Sequence, residues 1–351
     1  MHWYIPILYP FALIYKGVTW VRNKLFDRGI LKSQKVKAAT VVVGNLNVGG
    51  SGKTPMVEFL VENLAARFHT VTLSRGYGRK TRGYLLADTS STPAQLGDEP
   101  YQIYSKYAGT VNVAVGEKRV AAIHEIMKTL PGTELVLLDD AFQHRYIDGD
   151  LRILLTTFRD PFFQDYVLPA GRLRESRYGA ARADIIVVTK CPPNLSEAQK
   201  VTYRNNIQKY SQAPVLFAGL GYGGIVPLGY PMTREPSEVI VLSGIADSSL
   251  FTTEVGKRYK VLEVIDFRDH HEYGMDDLER LRSVVRQRPG AGVITTEKDA
   301  VKLKRPEFRE YLSEIPIFAL PVKIKFSPGD NESLFASVIA KIEEKTKIRE
   351  V

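Results

Sequence analysis

Gly49-Gly50-Ser51-Gly52-Lys53-Thr54 follows closely on the apolar run Val41-Val42-Val43, a succession of residue types suited to holding a polyphosphate. Glycines let successive backbone N–H groups turn toward one anion, and a helix beginning at the end of the loop adds the positive end of its dipole. The expected nucleotide cradle runs Asn47, Val48, Gly49, Gly50, Ser51, Gly52, Lys53, Thr54, with the Lys53 ammonium directed at the β- and γ-phosphates and the Thr54 hydroxyl at Mg2+. Asn47 stands where the usual pattern has glycine, and asparagine is among the few residues that tolerate a left-handed backbone. A second apolar run, Glu134 to Leu138, ends in Asp139-Asp140. Carboxylates at the end of a buried strand are placed to hold Mg2+ opposite the threonine hydroxyl, so the two stretches together point to a nucleoside triphosphate with Mg2+. The bland alternative is a glycine-rich turn and a pair of loop-capping acids, against which strand, loop and helix signals coincide.

Two further stretches carry charged groups beside glycines. Ser74-Arg75-Gly76-Tyr77-Gly78-Arg79-Lys80 is a cationic, glycine-punctuated loop that could grip a substrate phosphate or simply turn in solvent. Gly97-Asp98-Glu99-Pro100 puts Asp98 at the start of a helical stretch running to Lys106.

These residues need a frame, and the apolar pattern supplies one. Short β-branched runs at Thr70 to Leu73, Val111 to Val115, Leu151 to Thr156, Asp184 to Thr189 and Val215 to Ala218 predict strands. Helical stretches at Met56 to Phe68, Glu117 to Leu130 and Glu197 to Tyr210 alternate with them, which implies an α/β fold with a parallel sheet. Between Ala218 and Pro236 glycine and proline recur, the composition of a domain connection. Strands then restart at Val239 to Leu242, Val261 to Ile265, Gly292 to Thr295 and Ile317 to Leu320, with helices between them and one closing the chain. The expected division is an N-terminal interfacial helix over residues 1–30, a phosphate-loop nucleotide-binding domain over 31–222 and a smaller α/β domain over 223–351.

The N-terminus differs in kind. Residues Trp3 to Tyr15 carry no charge, yet the run is only 13 long and contains Pro6 and Pro10, too short and too interrupted for a transmembrane helix. From Lys16 to Lys37 seven Lys/Arg face the single acid Asp27. Aromatic and aliphatic residues beside basic ones suit a helix lying in the interface of an anionic leaflet, while a helix packed on the protein's own core is the alternative. The 351 residues carry a formal net charge of +9, which favours anionic partners, and the single Cys191 excludes an internal disulfide and suits a reducing cytosolic setting.

Taken in order, Gly44-Asn45 through Lys53-Thr54-Pro55, Ser74-Arg75-Gly76-Tyr77-Gly78, Gly97-Asp98-Glu99-Pro100, Asp139-Asp140-Ala141-Phe142-Gln143-His144-Arg145, Pro169-Ala170-Gly171-Arg172-Leu173-Arg174-Glu175 and Phe267-Arg268-Asp269-His270-His271 resemble the motifs of tetraacyldisaccharide 4'-kinases. The resemblance covers nearly the whole chain. It implies ATP- and Mg2+-dependent phosphorylation of the 4'-hydroxyl of a lipid A disaccharide precursor, giving lipid IVA, at the cytoplasmic face of the bacterial inner membrane. It further implies Asp139, Asp140 and Glu175 around the metal with Thr54, and Asp98 as general base. His270 is implied as the partner of Asp98 from the second domain, with His271 the other member of the doublet, and His144 as a residue near the phosphates. Arg75, Arg79 and Arg172 are candidates for substrate contact. The chemistry asks for such groups independently, because a sugar hydroxyl attacks poorly unless a carboxylate accepts its proton.

Thr189-Lys190 echoes part of the guanine-reading Asn-Lys-x-Asp pattern, but no aspartate follows Cys191, which argues against a GTPase. A tethered nucleotide-binding module without catalysis is the other rival. No nucleic-acid-binding motif occurs and the excess charge clusters beside the apolar segment, so nucleic acid is not expected, and no protein partner is inferred.

Overall fold

The computed structural model describes residues 5–229, 235–269 and 271–350. Among the described residues fourteen strands form two sheets. In chain order these are β1 (Ala39–Asn45), β2 (Thr70–Ser74), β3 (Leu85–Leu86), β4 (Asn112–Val115), β5 (Leu135–Asp139), β6 (Leu151–Thr157) and β7 (Ile185–Thr189). They continue with β8 (Val215–Tyr222), β9 (Val226–Pro227), β10 (Glu238–Ser243), β11 (Lys260–Asp266), β12 (Gly292–Thr296), β13 (Ile317–Leu320) and β14 (Val322–Phe326).

The larger sheet has the order β14-β8-β7-β6-β1-β5-β2-β4-β3. Its inner strands are parallel, and only the short edge strand β3 and the opposite edge β14 run antiparallel. All seven residues of β1 are buried, as a central strand covered on both faces requires. Val41 and Val43 pack toward Met56, Leu60 and Leu64 of the helix after the phosphate loop, while Val42 packs on the opposite face with Ile123 and Ile126 of the helix Arg119–Thr129.

The second sheet, β11-β10-β12-β13-β9, is again parallel except for β9. The chain then departs from the expected division at residue 223. β14 pairs with β8, and Leu334, Val338 and Ile342 of the C-terminal helix Asp330–Glu350 bury against the same face as the phosphate-loop helix. The smaller unit is therefore an excursion from β8 to β13, because the larger sheet's apolar face is completed only when the chain returns. The Gly/Pro-rich stretch is partly ordered into the end of β8 and into β9, and its residues 230–234 lie outside the described ones.

The N-terminal helix Ile5–Asp27 lies against the larger unit with most of its apolar side chains left unburied. Ile7, Phe11, Ile14, Val18 and Trp20 are each more than half exposed, and of its described residues only Ala12 and Phe26 are buried. Among the described residues no helix is long and apolar enough to cross a membrane.

Candidate active site

In register, Val43 of β1 pairs with Asp139 of β5, which brings the phosphate loop and the acidic pair to the same carboxyl edge of the sheet. The helix Lys53–Leu64 begins immediately after Gly52, whose φ of +84° is left-handed, as is that of Gly49 at +113°. Asn47 is not left-handed, contrary to the sequence expectation. Its role is carried by its side chain, whose Nδ2 donates to Asp165 Oδ2 at 2.9 Å and so ties the loop to the segment that carries Arg172. The Val48 N–H adds a 2.7 Å bond to the Arg172 carbonyl. Asn45 is buried, donates to the Asn47 carbonyl at 2.6 Å and accepts from Lys53 Nζ at 3.3 Å. Thr189 donates to the Ser51 carbonyl at 2.8 Å, so the end of β7 braces the loop from its other side.

Asp139 and Asp140 are neighbours in sequence with opposite surroundings. Asp139 is buried and its Oδ1 accepts no hydrogen bond. Burial pushes its carboxyl well above the usual carboxylate range, with the charges of Glu99 and Asp140 adding to the effect. Asp140 has a left-handed backbone, φ +45°, and accepts from Arg174 Nη1 through both oxygens at 2.9 and 3.0 Å. Lys53 Nζ stands 3.6 Å away. Burial alone would raise Asp140, but Lys53 and Arg174 outweigh it and hold the carboxyl below its ordinary value. Arg119, buried by the same edge, has its guanidinium pulled down to about 10 by burial.

Glu175 does not join a ligand set with these two. Both oxygens are taken: Arg182 donates at 2.7 and 2.9 Å, Gln143 Nε2 at 3.2 Å and Asn23 Nδ2 of the N-terminal helix at 2.7 Å. Its place is a brace between that helix and the loop after β5. Tyr15 Oη, donating to the Arg174 carbonyl at 3.1 Å, and Arg22, donating to the Gln143 carbonyl at 3.1 Å, complete the attachment. Among the described residues no group of three or more His, Cys, Asp or Glu could by itself hold a metal ion. His144 lines a cavity of about 250 Å³ with Arg145, Arg152 and Arg182. Burial, helped by the charges of Arg119, Arg22 and Arg75, pushes its imidazole down to about 4 and leaves it neutral at pH 7.

The acceptor side is assembled from both units. Gly97 precedes the helix Asp98–Tyr107 with φ +91°, and a side chain there would meet the Tyr77 carbonyl oxygen at 2.8 Å. Only glycine lets the Arg75 loop and Asp98 approach so closely. From the smaller unit the helix Glu297–Leu303 lies antiparallel across this one. Lys302 Nζ is 3.6 Å from Asp98 Oδ2, Lys298 Nζ is 3.8 Å from Glu99 Oε1, and Glu297 Oε1 accepts from Lys106 Nζ at 2.9 Å. Lys106 also donates to the buried Glu58 at 2.6 Å. His270 lies outside the described residues. His271 stacks on Phe267 with ring centroids 4.1 Å apart and pairs with Asp277 at 2.9 Å, turned to its own unit rather than to Asp98.

Of the three arginines, Arg75 is exposed at the end of β2. Arg79 is turned inward, its Nη2 donating to Glu117 at 2.5 Å and to the Gly83 carbonyl at 2.6 Å, which makes it a brace within its loop. Arg172 is half exposed and pairs with Asp160 and Asp165 at 2.9 and 3.1 Å. Sequence reasoning gave no role to Glu99, Arg174, Lys190 or Lys302. Glu99 lies in Gly97-Asp98-Glu99-Pro100, Arg174 in the stretch Pro169 to Glu175, and Lys190 in the GTPase-like pair Thr189-Lys190. Lys190 Nζ comes within 3.8 Å of where a side chain at Gly50 would begin, on the open side of the loop. Lys302 had no signal beyond the spacing of the acids and lysines in Glu297-Lys298-Asp299-Ala300-Val301-Lys302.

The sequence profile described as Tetraacyldisaccharide-1-P 4'-kinase matches residues 4–343. The chain belongs to the tetraacyldisaccharide 4'-kinase family. A Tetraacyldisaccharide 4'-kinase of Cytophaga hutchinsonii is 40% identical over 339 residues, covering 96% of this chain and 95% of that one. One of Bacteroides thetaiotaomicron is 37% identical, covering 97% and 94%. Among solved structures, LpxK from Aquifex aeolicus in complex with ATP superposes with a TM-score of 0.75 at 30% identity, covering 96% of this chain and 99% of that one. The activity is thus that of a kinase of lipid A biosynthesis acting on the tetraacyldisaccharide precursor, and the fold is the family's.

Proposed function

We propose that ATP binds along the loop 47–54 and that the 4'-oxygen of tetraacyldisaccharide 1-phosphate attacks its γ-phosphorus. The O–P bond to the acceptor forms, the bond to the β,γ-bridging oxygen breaks, and the acceptor proton passes to Asp98. Lys53 neutralises charge on the β- and γ-phosphates, while Asp140 and Asn45 hold its ammonium at the mouth of the loop. His270, next in the chain to the described segment 235–269, is the expected partner of Asp98, and closure of the smaller unit brings the two together. Arg75, exposed beside Gly97, is the candidate for a substrate phosphate.

The residues fit Mg2+, whose preference is for one or two carboxylates with substrate phosphates rather than an all-protein cage. Thr54 and Asp139 would hold it, and Asp139 Oδ1, buried without a hydrogen bond, supports that assignment. When bound, Mg2+ supplies positive charge to the phosphate oxygens. Asp140, already engaged by Arg174, and Glu175, engaged by Arg182, orient those cations.

The observation that carries the proposal is that Lys53 and Asp139 share one sheet edge with Asp140, and that Glu99, the chain neighbour of Asp98, is close enough to raise the Asp139 carboxyl. Asp98→Asn keeps the shape and removes the base, so turnover falls by about 10²–10⁴-fold with nucleotide affinity unchanged. Turnover within about threefold of the parent protein would refute the assignment.

The exposed apolar face of the helix Ile5–Asp27, with its basic continuation, supports peripheral attachment to the cytoplasmic face of the inner membrane. Phe11→Ser with Trp20→Ser weakens sedimentation with anionic vesicles by roughly tenfold or more, and turnover on detergent-dispersed substrate stays unchanged. Undiminished vesicle binding would refute this placement.

A further inference from the structure

Among the described residues Lys302 is the only buried lysine, 2% exposed, in a helix whose neighbouring Ala300, Val301 and Leu303 are apolar. An apolar side chain would fill such a position at lower electrostatic cost, since removing an ammonium from water is expensive and packing does not require it. The contacts of the ammonium are therefore what explains it. Nζ donates to the His271 carbonyl at 3.0 Å and lies 3.6 Å from Asp98 Oδ2 and 3.9 Å from Asp299 Oδ1. Asp299 is itself held in the smaller unit, where its Oδ2 accepts from the Gly244 N–H at 2.9 Å and from Thr296 at 2.7 Å.

One cation thus touches the carboxylate of the larger unit and the backbone of His271 in the smaller one. We propose that Lys302 is a positioning residue for phosphoryl transfer, holding Asp98 and the backbone at His271 in register across the interface of the two units. The inference rests on the reading of Asp98 as the base. At 3.6 Å the contact is an ion pair and not a hydrogen bond, so it orients the carboxylate while leaving its other oxygen for the acceptor hydroxyl. The flanking pairs Lys298 with Glu99 and Lys106 with Glu297 fix the crossing of the two helices, and Lys302 converts that crossing into the placement of one functional group.

A double-mutant cycle on the full chain tests this, using ATP, Mg2+ and tetraacyldisaccharide 1-phosphate. Lys302→Met is expected to lower kcat by about 10–100-fold with nucleotide affinity unchanged, the cost of a misplaced group. In the Asp98→Asn background the same substitution is expected to cost less than about twofold, because there is no base left to place. Equal factors in both backgrounds would overturn the positioning role while leaving Asp98 as the base. Near-normal turnover of Asp98→Asn alone would overturn both. Should Lys302→Met melt below the assay temperature, Lys302→Arg carries the cycle: its bulkier fork keeps the charge but shifts Asp98, so a several-fold loss that vanishes in the Asp98→Asn background supports the role and an equal loss refutes it.

Discussion

Lys53, Thr54 and Asp139 reach the cleft from β1, the helix that follows it and β5, elements hydrogen-bonded or packed side by side within the larger unit. Asp98 meets its cation only because a helix from beyond the Gly/Pro-rich connection folds back across its own. The phosphate side is built from local sequence and main-chain geometry. The acceptor side depends on ion pairs between the units, Lys302 with Asp98, Lys298 with Glu99 and Lys106 with Glu297. A rigid cradle suits a triphosphate, which every turnover presents alike, whereas a base held between two units can be aligned or released as those units move. The same contrast appears at the chain ends: the C-terminal helix sinks Leu334, Val338 and Ile342 into the larger sheet's face, while the N-terminal helix leaves Phe11 and Trp20 in the open and attaches through polar contacts to Gln143, Arg174 and Glu175.

The sharpest way to separate the two sides is Lys53→Ala. Among the described residues the ammonium touches Asn45 and Asp140, so the fold should survive while kcat/KM for ATP drops by roughly 10³-fold. A folded variant with near-normal kcat/KM would break the assignment of the phosphate side. A smaller effect is expected at the junction. Lys106→Met strands the buried Glu58 and removes the pair to Glu297, costing about 2–4 kcal/mol by chemical denaturation and raising amide exchange in residues 297–303. Unchanged exchange there would mean the units are held together by other contacts.

The subtlest effect concerns Asp139. Its carboxyl is raised by burial, so the folded chain binds this proton more tightly than the unfolded chain does. The stability contributed by the proton is present below the unfolded value of about 3.9 and is lost as pH rises toward neutrality through the higher folded value. In EDTA the parent protein should therefore lose stability over that range relative to Asp139→Asn, whose melting profile is flatter. Parallel melting curves from about pH 4 to pH 8 would show that Asp139 stays ionised in the free protein. Addition of Mg2+ should narrow the difference by favouring the parent's carboxylate, without a matching shift in the variant.

Much of the larger unit was legible because its signals are local. Gly52-Lys53-Thr54 after three valines, and Asp139-Asp140 after an apolar run, each announce a strand end without reference to distant residues, and the predicted strands fall within a residue or a few of β1, β2, β4, β5, β6 and β7. Side-chain partnership was less legible. Nothing in the spacing told that Asp140 would be captured by Arg174 and Glu175 by Arg182, or that Arg79 would turn inward to Glu117, since a carboxylate or guanidinium has the same sequence signature whether it faces a ligand or a neighbour.

The sequence by itself determined the phosphate cradle, the acidic strand end, the α/β alternation and the apolar, basic N-terminus, because backbone propensity, loop chemistry and hydrophobic period act over a few residues. Only the tertiary structure decided that β14 and the C-terminal helix return to the larger sheet, that the N-terminal helix leaves its apolar side chains exposed, and that Lys302 stands beside Asp98. Those outcomes depend on which surfaces remain uncovered once the two sheets form, and on charges brought together by chain return, which no short window of residues can encode.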